Sequence, residues 1–258
     1  MRKEIEGLFS NAEPCVSKTF SPFGELIFPY VRMGAIDSLD LFGMDELIIF
    51  SFYWTNRHLY KRVVDIGANI GLHSILLSKC GFTIRSYEPD PDTYKKLRKN
   101  LELNKCAHVE AINAAVSSTK GTCEFTRVLG NTTGSHLTGS KPNPYGDLER
   151  FPVTVESIEP LIEWADLMKI DAEGHEKEIL LATKNDQWQK TDALVEIGNE
   201  GNAKAVFDHF NKIKINLFAQ KTNWKRVTKI NDMPMSHRDG TLFISRRSET
   251  PWSINFTL

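Results

Sequence analysis

Apolar and polar positions along this chain switch repeatedly between a short-run pattern and a helical one, and the switches divide it into strands and amphipathic helices. The run at 63–66, two β-branched apolar residues leading into Asp65 and Ile66, is short and is stopped by Gly67, as a buried strand would be. Leu72 to Lys79 then reads as a helix closed by Gly81. Residues 83–88 predict a second strand, after which Asp90 caps and Pro91 starts a helix bearing Tyr94, Leu97 and Leu101 at helical spacing. A third strand is expected at about 108–116, with short strands at Gly121 to Val128 and Val153 to Val155. A helix from Ile158 to Trp164, a strand at 167–171, a helix over Gly174 to Thr183 and a strand from Ala193 to Ile197 continue the alternation. An amphipathic helix from Ala203 to Phe210 and a hairpin-like pair of strands at 215–220 and 241–246 complete it. Strands alternating with helices predict an α/β fold with a mostly parallel sheet and right-handed crossovers.

Two segments break the pattern. Residues 1–60 form an N-terminal addition whose Asp37 to Trp54 stretch predicts a helix, too short and too charged to cross a bilayer. Its clustered Phe50, Phe52, Tyr53 and Trp54 suit a core-packing face. Leu129 to Arg150 is dominated by Gly, Asn, Thr, Ser and Pro, and a loop of that length inside a compact domain is expected to be a substrate lid.

The chemistry concentrates at strand ends. In Val63-Val64-Asp65-Ile66-Gly67-Ala68-Asn69-Ile70-Gly71, two glycines lie between a strand and a helix, where backbone amides are able to approach a ligand closely. The stretch lacks both the GxGxxG of a dinucleotide site and the GxxxxGK[ST] of a phosphate loop. That argues against a pyrophosphate or triphosphate ligand, and against a nicotinamide oxidoreductase. Glu88, about 20 residues further on at the end of the next strand, stands where an acid accepts hydrogen bonds from a ribose diol. Leu167 to Gly174 is a third apolar strand ending in carboxylates, so Asp65, Glu88, Asp171 and Glu173 are expected to converge on one acidic crevice. Such a crevice repels a polyphosphate and attracts a cationic ligand carrying a ribose, a description that S-adenosylmethionine fits.

The glycine loop, Tyr87-Glu88-Pro89-Asp90-Pro91, Asn113 to Ser117 and Lys169 to Glu176 occur in an order that resembles the FkbM family of S-adenosylmethionine-dependent methyltransferases. The likeness covers roughly residues 61–247, and its family-specific part is the octapeptide KIDAEGHE. It implies a class I methyltransferase core over 61–258, with a Rossmann-like, doubly wound, seven-stranded sheet and helices on both faces. It also implies O-methylation of a hydroxyl on a sugar, glycan or natural-product acceptor. On this reading Asp65, Gly67, Ala68, Asn69, Gly71, Glu88, Pro89, Asn113, Ala114 and Asp171 bind the cofactor. Asp65 would contact the loop and the methionine ammonium, and Asn113 with Ala114 would lie near the adenine.

An aliphatic hydroxyl also needs a base as its bond to carbon forms. Asp171, Glu173, His136 in the expected lid, and His175 are the candidates, with Glu196 at the end of the fifth strand placed either to contact the acceptor or to close the same acidic pocket. Glu173 has the alternative role of capping the helix at Gly174, and Asn69 that of bonding its own turn. Asp171, Glu196 and Asn199 offer oxygen ligands for a metal-assisted variant, although the resemblance calls for no metal. A non-catalytic, cofactor-binding module that touches RNA is the rival outside enzymology.

Composition narrows the partners. A net charge of -1 gives no global attraction to nucleic acid or anionic membrane. Cys15, Cys80, Cys106 and Cys123 form no CxxC pair and no apolar signal core follows Met1, so a reducing cytoplasm is the expected home. The expected partners are a small-molecule or glycan acceptor and a homo-oligomeric copy, with no membrane span.

Overall fold

A computed structural model describes residues 17–33, 37–131, 134–141, 143–144 and 146–252. Two short strands, β1 (Lys18–Thr19) and β2 (Glu25–Leu26), and helix α1 (Met44–Thr55) belong to the N-terminal addition. The core follows as β3 (Arg62–Ile66), α2 (Leu72–Lys79), β4 (Thr83–Tyr87), α3 (Pro91–Leu103) and β5 (Val109–Ile112). After an inserted segment it resumes with α4 (Ile158–Trp164), β10 (Leu167–Ile170), α5 (Glu176–Leu181), β11 (Asp192–Glu196), α6 (Glu200–Ile213), β12 (Asn216–Ala219), β13 (Lys225–Arg226) and β14 (Thr241–Ser245). The main sheet has the order β13-β12-β14-β11-β10-β3-β4-β5. Strands β11, β10, β3, β4 and β5 are mutually parallel, and β14 runs antiparallel between β11 and β12.

Each central strand is apolar on both sides because each side is covered. Val63, Leu167, Leu194, Phe218 and Phe243 face one core with α1, α2 and Leu97 of α3. Their neighbours Val64, Met168, Ala193, Val195 and Ile244 face the other, under α4, α5 and α6. The N-terminal addition shares the first core, with the rings of Phe52 and Phe243 5.6 Å apart.

The structure departs from the sequence expectations in five places. Among the described residues the main sheet has eight strands, the eighth being the two-residue edge strand Lys225–Arg226, too short to leave a periodic signal. The third expected strand is two: β5 stays in the main sheet, while β6 (Ala115–Ser117) turns away to pair in parallel with the end of β9 (Leu148–Ser157). The break falls at Asn113, whose amide donates to the carbonyls of Glu88 (2.8 Å) and Pro89 (3.0 Å) and so fixes a turn. The expected lid at 129–150 is partly strand: β8 (His136–Leu137) and the start of β9 lie within it, and with β6 and the expected strand β7 (Gly121–Val128) they form a second sheet of order β6-β9-β7-β8. Helix α5 begins at Glu176 rather than Gly174, because Glu173 (φ +51°) and Gly174 (φ +101°) are left-handed. The expected helix at 37–54 is interrupted at Gly43, which separates a 3-10 turn at Asp40–Phe42 from α1.

The second sheet roofs the carboxyl ends of β3, β4 and β10, and one arginine pins it there. Arg127 on β7 grips Asp90, the cap of α3, through Nε (2.6 Å) and Nη2 (2.7 Å), while Nη1 reaches Glu149 (2.8 Å) and the guanidinium lies 4.7 Å from the Phe151 ring centroid. Asp90 also accepts from the amides of Asp92 and Thr93, which gives its buried charge a full set of partners. No described helix is long and apolar enough to cross a membrane. Replacing Arg127 with Met leaves Asp90 buried without its counter-ion, so urea denaturation is expected to show a loss of about 3 kcal/mol; an unchanged midpoint would mean that the roof is held by other contacts.

Candidate functional site

Why residue 67 is glycine is visible in the way two strands end. Gly67 has φ +77°, and a Cβ there would lie 1.8 Å from the carbonyl oxygen of Asp171. The amides of Gly67 and Ala68 both donate to the Tyr87 carbonyl at 3.0 Å, which ties the loop to β4. Gly71, at φ +96°, starts α2 where a Cβ would meet Leu97 Cδ1 at 2.6 Å. Asn69 is left-handed at φ +50°, and its side-chain oxygen accepts from the Ile70 amide at 2.8 Å. The loop is thus folded tightly around its own backbone, with its amides turned toward β4.

Glu88 is the hub of this arrangement. Its Oε2 accepts from the Asn69 amide and its Oε1 from the Asp90 amide, both at 2.9 Å. The carboxyl is 7% exposed. Burial, with Asp90 adding to it and the two amides opposing, pushes its pKa up to about 8. Each carboxyl oxygen keeps one lone-pair direction beyond these bonds.

A cavity opens beside Glu88 at the carboxyl ends of β3, β4 and β10 and under the roof. Gly67, Asn69, Glu88, Pro89, Ala114, Asp171, Glu173, His136 and His175 all line it, so the structure brings together nine of the residues expected at the site. Ala115, Val116, Phe125 and Leu137 supply an apolar part of its wall. Asp65, Ala68, Gly71 and Asn113 do not line it. Ala68 is a buried turn residue, Gly71 packs on Leu97, and Asn113 holds the Glu88 and Pro89 carbonyls. Asp65 is wholly buried; its Oδ2 accepts from the Ser74 hydroxyl at 2.6 Å, and its Oδ1 has no hydrogen-bond partner among the described residues.

The two histidines differ in what they leave free. His175 is engaged at both ring nitrogens, Nε2 by the Ser117 hydroxyl (2.8 Å) and Nδ1 by the Ser140 hydroxyl (2.9 Å). His136, 2% exposed, bonds through Nδ1 to the Gly134 carbonyl at 2.8 Å. A carbonyl only accepts, so Nδ1 carries the proton and Nε2 of the neutral ring presents its lone pair. Burial holds both imidazoles below the usual histidine pKa.

Charges crowd the crevice. Alternation along β10 puts Lys169 and Asp171 on one face, and Lys169 Nζ reaches Asp171 Oδ2 at 3.2 Å. Burial opposes the Lys169 charge, but Asp171, Asp65, Glu46 and Glu196 outweigh it and hold the pKa above its usual value. Glu173 pairs with Lys141 from the roof; burial first and Asp171 second push its pKa up to about 7. Burial and Asp171 push Glu196 up to about 9. The N-terminal addition joins in, since Glu46 of α1 bonds His73 Nε2 (3.1 Å), whose Nδ1 meets the Tyr53 hydroxyl (2.9 Å). Burial favours a neutral Glu46, yet the His73 contact wins and lowers its pKa.

Glu46, His73, Lys141 and Glu176 were not singled out from sequence. Glu176 does what Glu173 was offered for: its Oε1 accepts from the amides of Ala172 and Gly174 at 2.9 Å, closing the turn before α5. The signal was there in the last residue of KIDAEGHE, an acid in the first turn of a helix. Asn199, weighed for a metal, spends its side-chain oxygen capping α6 through the Asn202 amide (2.8 Å), and no metal-holding group of three His, Cys, Asp or Glu occurs among the described residues.

The raised carboxyls set a pH dependence. Glu88 and Glu176, with pKa about 8 and about 7, hold a proton in the folded state that the unfolded chain has lost above about 4.5. Their contribution is therefore full at acid pH below the unfolded value and falls as pH rises through 7 and 8. Thermal unfolding is expected at lower temperature at pH 8.5 than at pH 6, with the drop reduced in Glu88→Gln and Glu176→Gln; a melting temperature that rises across that interval in the wild type would contradict the assignment.

The sequence matches the model of the methyltransferase FkbM domain over residues 65–220. The methyltransferase sdnD of Sordaria araneosa is 28% identical, the match covering 49% of this chain and 62% of that protein. The hexuronic acid methyltransferase AglP of Haloferax volcanii is 26% identical, over 71% of this chain and 69% of that one. Among solved structures, the methyltransferase FkbM of Methylobacillus flagellatus KT overlaps 71% of this chain and 43% of its own, at 16% identity and a TM-score of 0.46. The chain thus spans just under two thirds of the first of these relatives. The matched segment starts at Asp65 and takes in Glu88, Asp171 and the left-handed turn at Glu173, and the chain belongs to the FkbM methyltransferase family.

Proposed function

We propose that this chain binds S-adenosyl-L-methionine in the cavity at the ends of β3, β4 and β10 and transfers its methyl group to a hydroxyl of a sugar, glycan or natural-product acceptor. The observation that carries the reading is Glu88: a buried strand-end carboxyl, oriented by two backbone amides, with lone pairs left for a ribose diol. Pro89, Ala114, Val116, Phe125 and Leu137 form a wall of adenine character. The sulfonium cofactor, when bound, supplies an activated methyl group and a fixed positive charge.

The residues present fit that group. Among the described residues Asp65 Oδ1 is a buried carboxyl oxygen without a donor, a state that a cationic or hydroxylic neighbour relieves. Gly67 and Asn69 set the loop against the cavity. Asp171 carries negative charge to the crevice while Lys169 keeps it in place, and His136 presents Nε2 as an acceptor for a ligand N–H or O–H. His175 and Glu173 position the roof strap at Ser140–Lys141 over the β10 turn.

The acceptor class rests on family membership and on the relative named for hexuronic acid. Strand-end carboxylates suit the hydroxyls of a sugar, each of which donates a hydrogen bond. A cytoplasmic home accords with the unpaired Cys80, Cys106 and Cys123; Cys15 lies outside the described residues.

Calorimetric titration with S-adenosylhomocysteine tests the pocket. Micromolar binding is expected for the wild type, weakened about tenfold or more in Glu88→Ala, which removes the carboxyl offered to the ribose diol, and in Asp65→Ala, which removes the buried carboxyl under the glycine loop. Absence of binding by the wild type would remove the methyltransferase reading. With binding in hand, thioether release is expected on adding hexuronic acids or related polyols.

A further inference from the structure

The roof meets the two ends of the cavity through different residues. At one end Arg127 of β7 grips Asp90, two residues after Glu88, and His136 of β8 is the register partner of Thr126, the residue before that arginine. At the other end Ser140 and Lys141 rest on His175 and Glu173 in the turn after β10. Residues 136–141 therefore run from the β4 end of the cavity to the β10 end. His136 stands at the β4 end, in the same wall as Pro89, Phe125 and Leu137.

Apolar residues of that wall suit the faces of a flat ring but do not tell one ring from another. Its polar groups differ in what they have left to offer. Asp90 lines the cavity, yet it accepts from the Asp92 and Thr93 amides and from Arg127 through both carboxyl oxygens. Thr93 and Ser135 bring hydroxyls, which both donate and accept and so select neither. His136 alone in this group is one-sided. Its Nδ1 donates to the Gly134 carbonyl, which fixes the tautomer and the ring's orientation, and no donor reaches Nε2 among the described residues. Burial keeps the ring neutral. The result is a buried nitrogen on a cavity wall that accepts a hydrogen bond and is unable to give one.

We propose, resting on the cofactor reading above, that His136 Nε2 accepts a hydrogen bond from the exocyclic amine of the cofactor's base and so selects adenine over a 6-oxo purine. Adenine presents N–H donors at that position, where hypoxanthine presents a carbonyl oxygen. Set against Nε2, the carbonyl brings lone pair to lone pair and leaves two acceptors unsatisfied in a buried site. The imidazole has no cheap way to adapt, because donating from Nε2 requires either giving up the Gly134 bond or taking on a buried charge. His136 is on this account a residue that reads the base, and its place in the expected lid does not make it the proton acceptor.

Paired calorimetric titrations of the full chain with S-adenosylhomocysteine and with S-inosylhomocysteine test this. The wild type is expected to bind the adenine form about tenfold or more tightly. His136→Leu removes the acceptor, and His136→Gln turns either an oxygen or an N–H to the base; in both, the two affinities are expected to come within about threefold of each other. Glu88→Ala should weaken both ligands and keep their ratio. If His136 served packing alone, its variants would also weaken both ligands together with the ratio unchanged, and that outcome overturns the proposal. Equal wild-type affinities overturn it whether or not the variants fold, while leaving the cofactor reading in place. If the wild type binds neither ligand, the cofactor reading has failed and the proposal falls with it.

Discussion

The Asp171 carbonyl occupies the space that a side chain on residue 67 would need, 1.8 Å from where a Cβ would be built. That contact joins the ends of β3 and β10, and through it the glycine loop lies directly against the acid-tipped strand. From there the rest follows by short links. The loop amides bond to β4 through Tyr87, Glu88 at the end of β4 holds the Asn69 amide, and Asp171 continues into the left-handed turn that Glu176 closes. A larger residue at 67 would push β10 away and separate the cradle from the crevice.

The roof depends on the same edge. Its sheet leaves the core at Asn113, whose amide holds the β4 turn, and is fastened again by Arg127 on Asp90, two residues after Glu88. Lys141 and Ser140 of the roof rest on Glu173 and His175. Residues that recognise a ligand and residues that hold the insertion down are therefore neighbours in sequence.

Much of this was legible in the chain. Buried strands and glycine turns announce themselves through short apolar runs that end at Gly67 or in acids, and Asp90-Pro91 is a helix start with a physical cause at each position. The Lys169–Asp171 contact follows from strand alternation alone. What stayed hidden was long-range. Nothing local marks β6 as leaving the main sheet, because Ala115-Val116 is as apolar as a continuing strand, and the turn that diverts it depends on carbonyls 24 and 25 residues earlier. Glu46 is one acid on a helix until α1 packs it against His73. Asn113 and Gly71, expected at the ligand, do not line the cavity: Asn113 holds the Glu88 and Pro89 carbonyls and Gly71 packs on Leu97.

The electrostatics give the site its direction. Five carboxyls, those of Glu46, Asp65, Asp171, Glu173 and Glu196, act on or beside Lys169, and burial holds some of them neutral. A crevice built this way has a deficit of positive charge that a cationic ligand fills. A crystal structure of the chain with S-adenosylhomocysteine is the most direct test of that account. It predicts the ribose hydroxyls on the Glu88 carboxyl and the amino-acid end over Gly67, facing Asp171; a ligand seated elsewhere, with Glu88 still bonded only to its two amides, would contradict it.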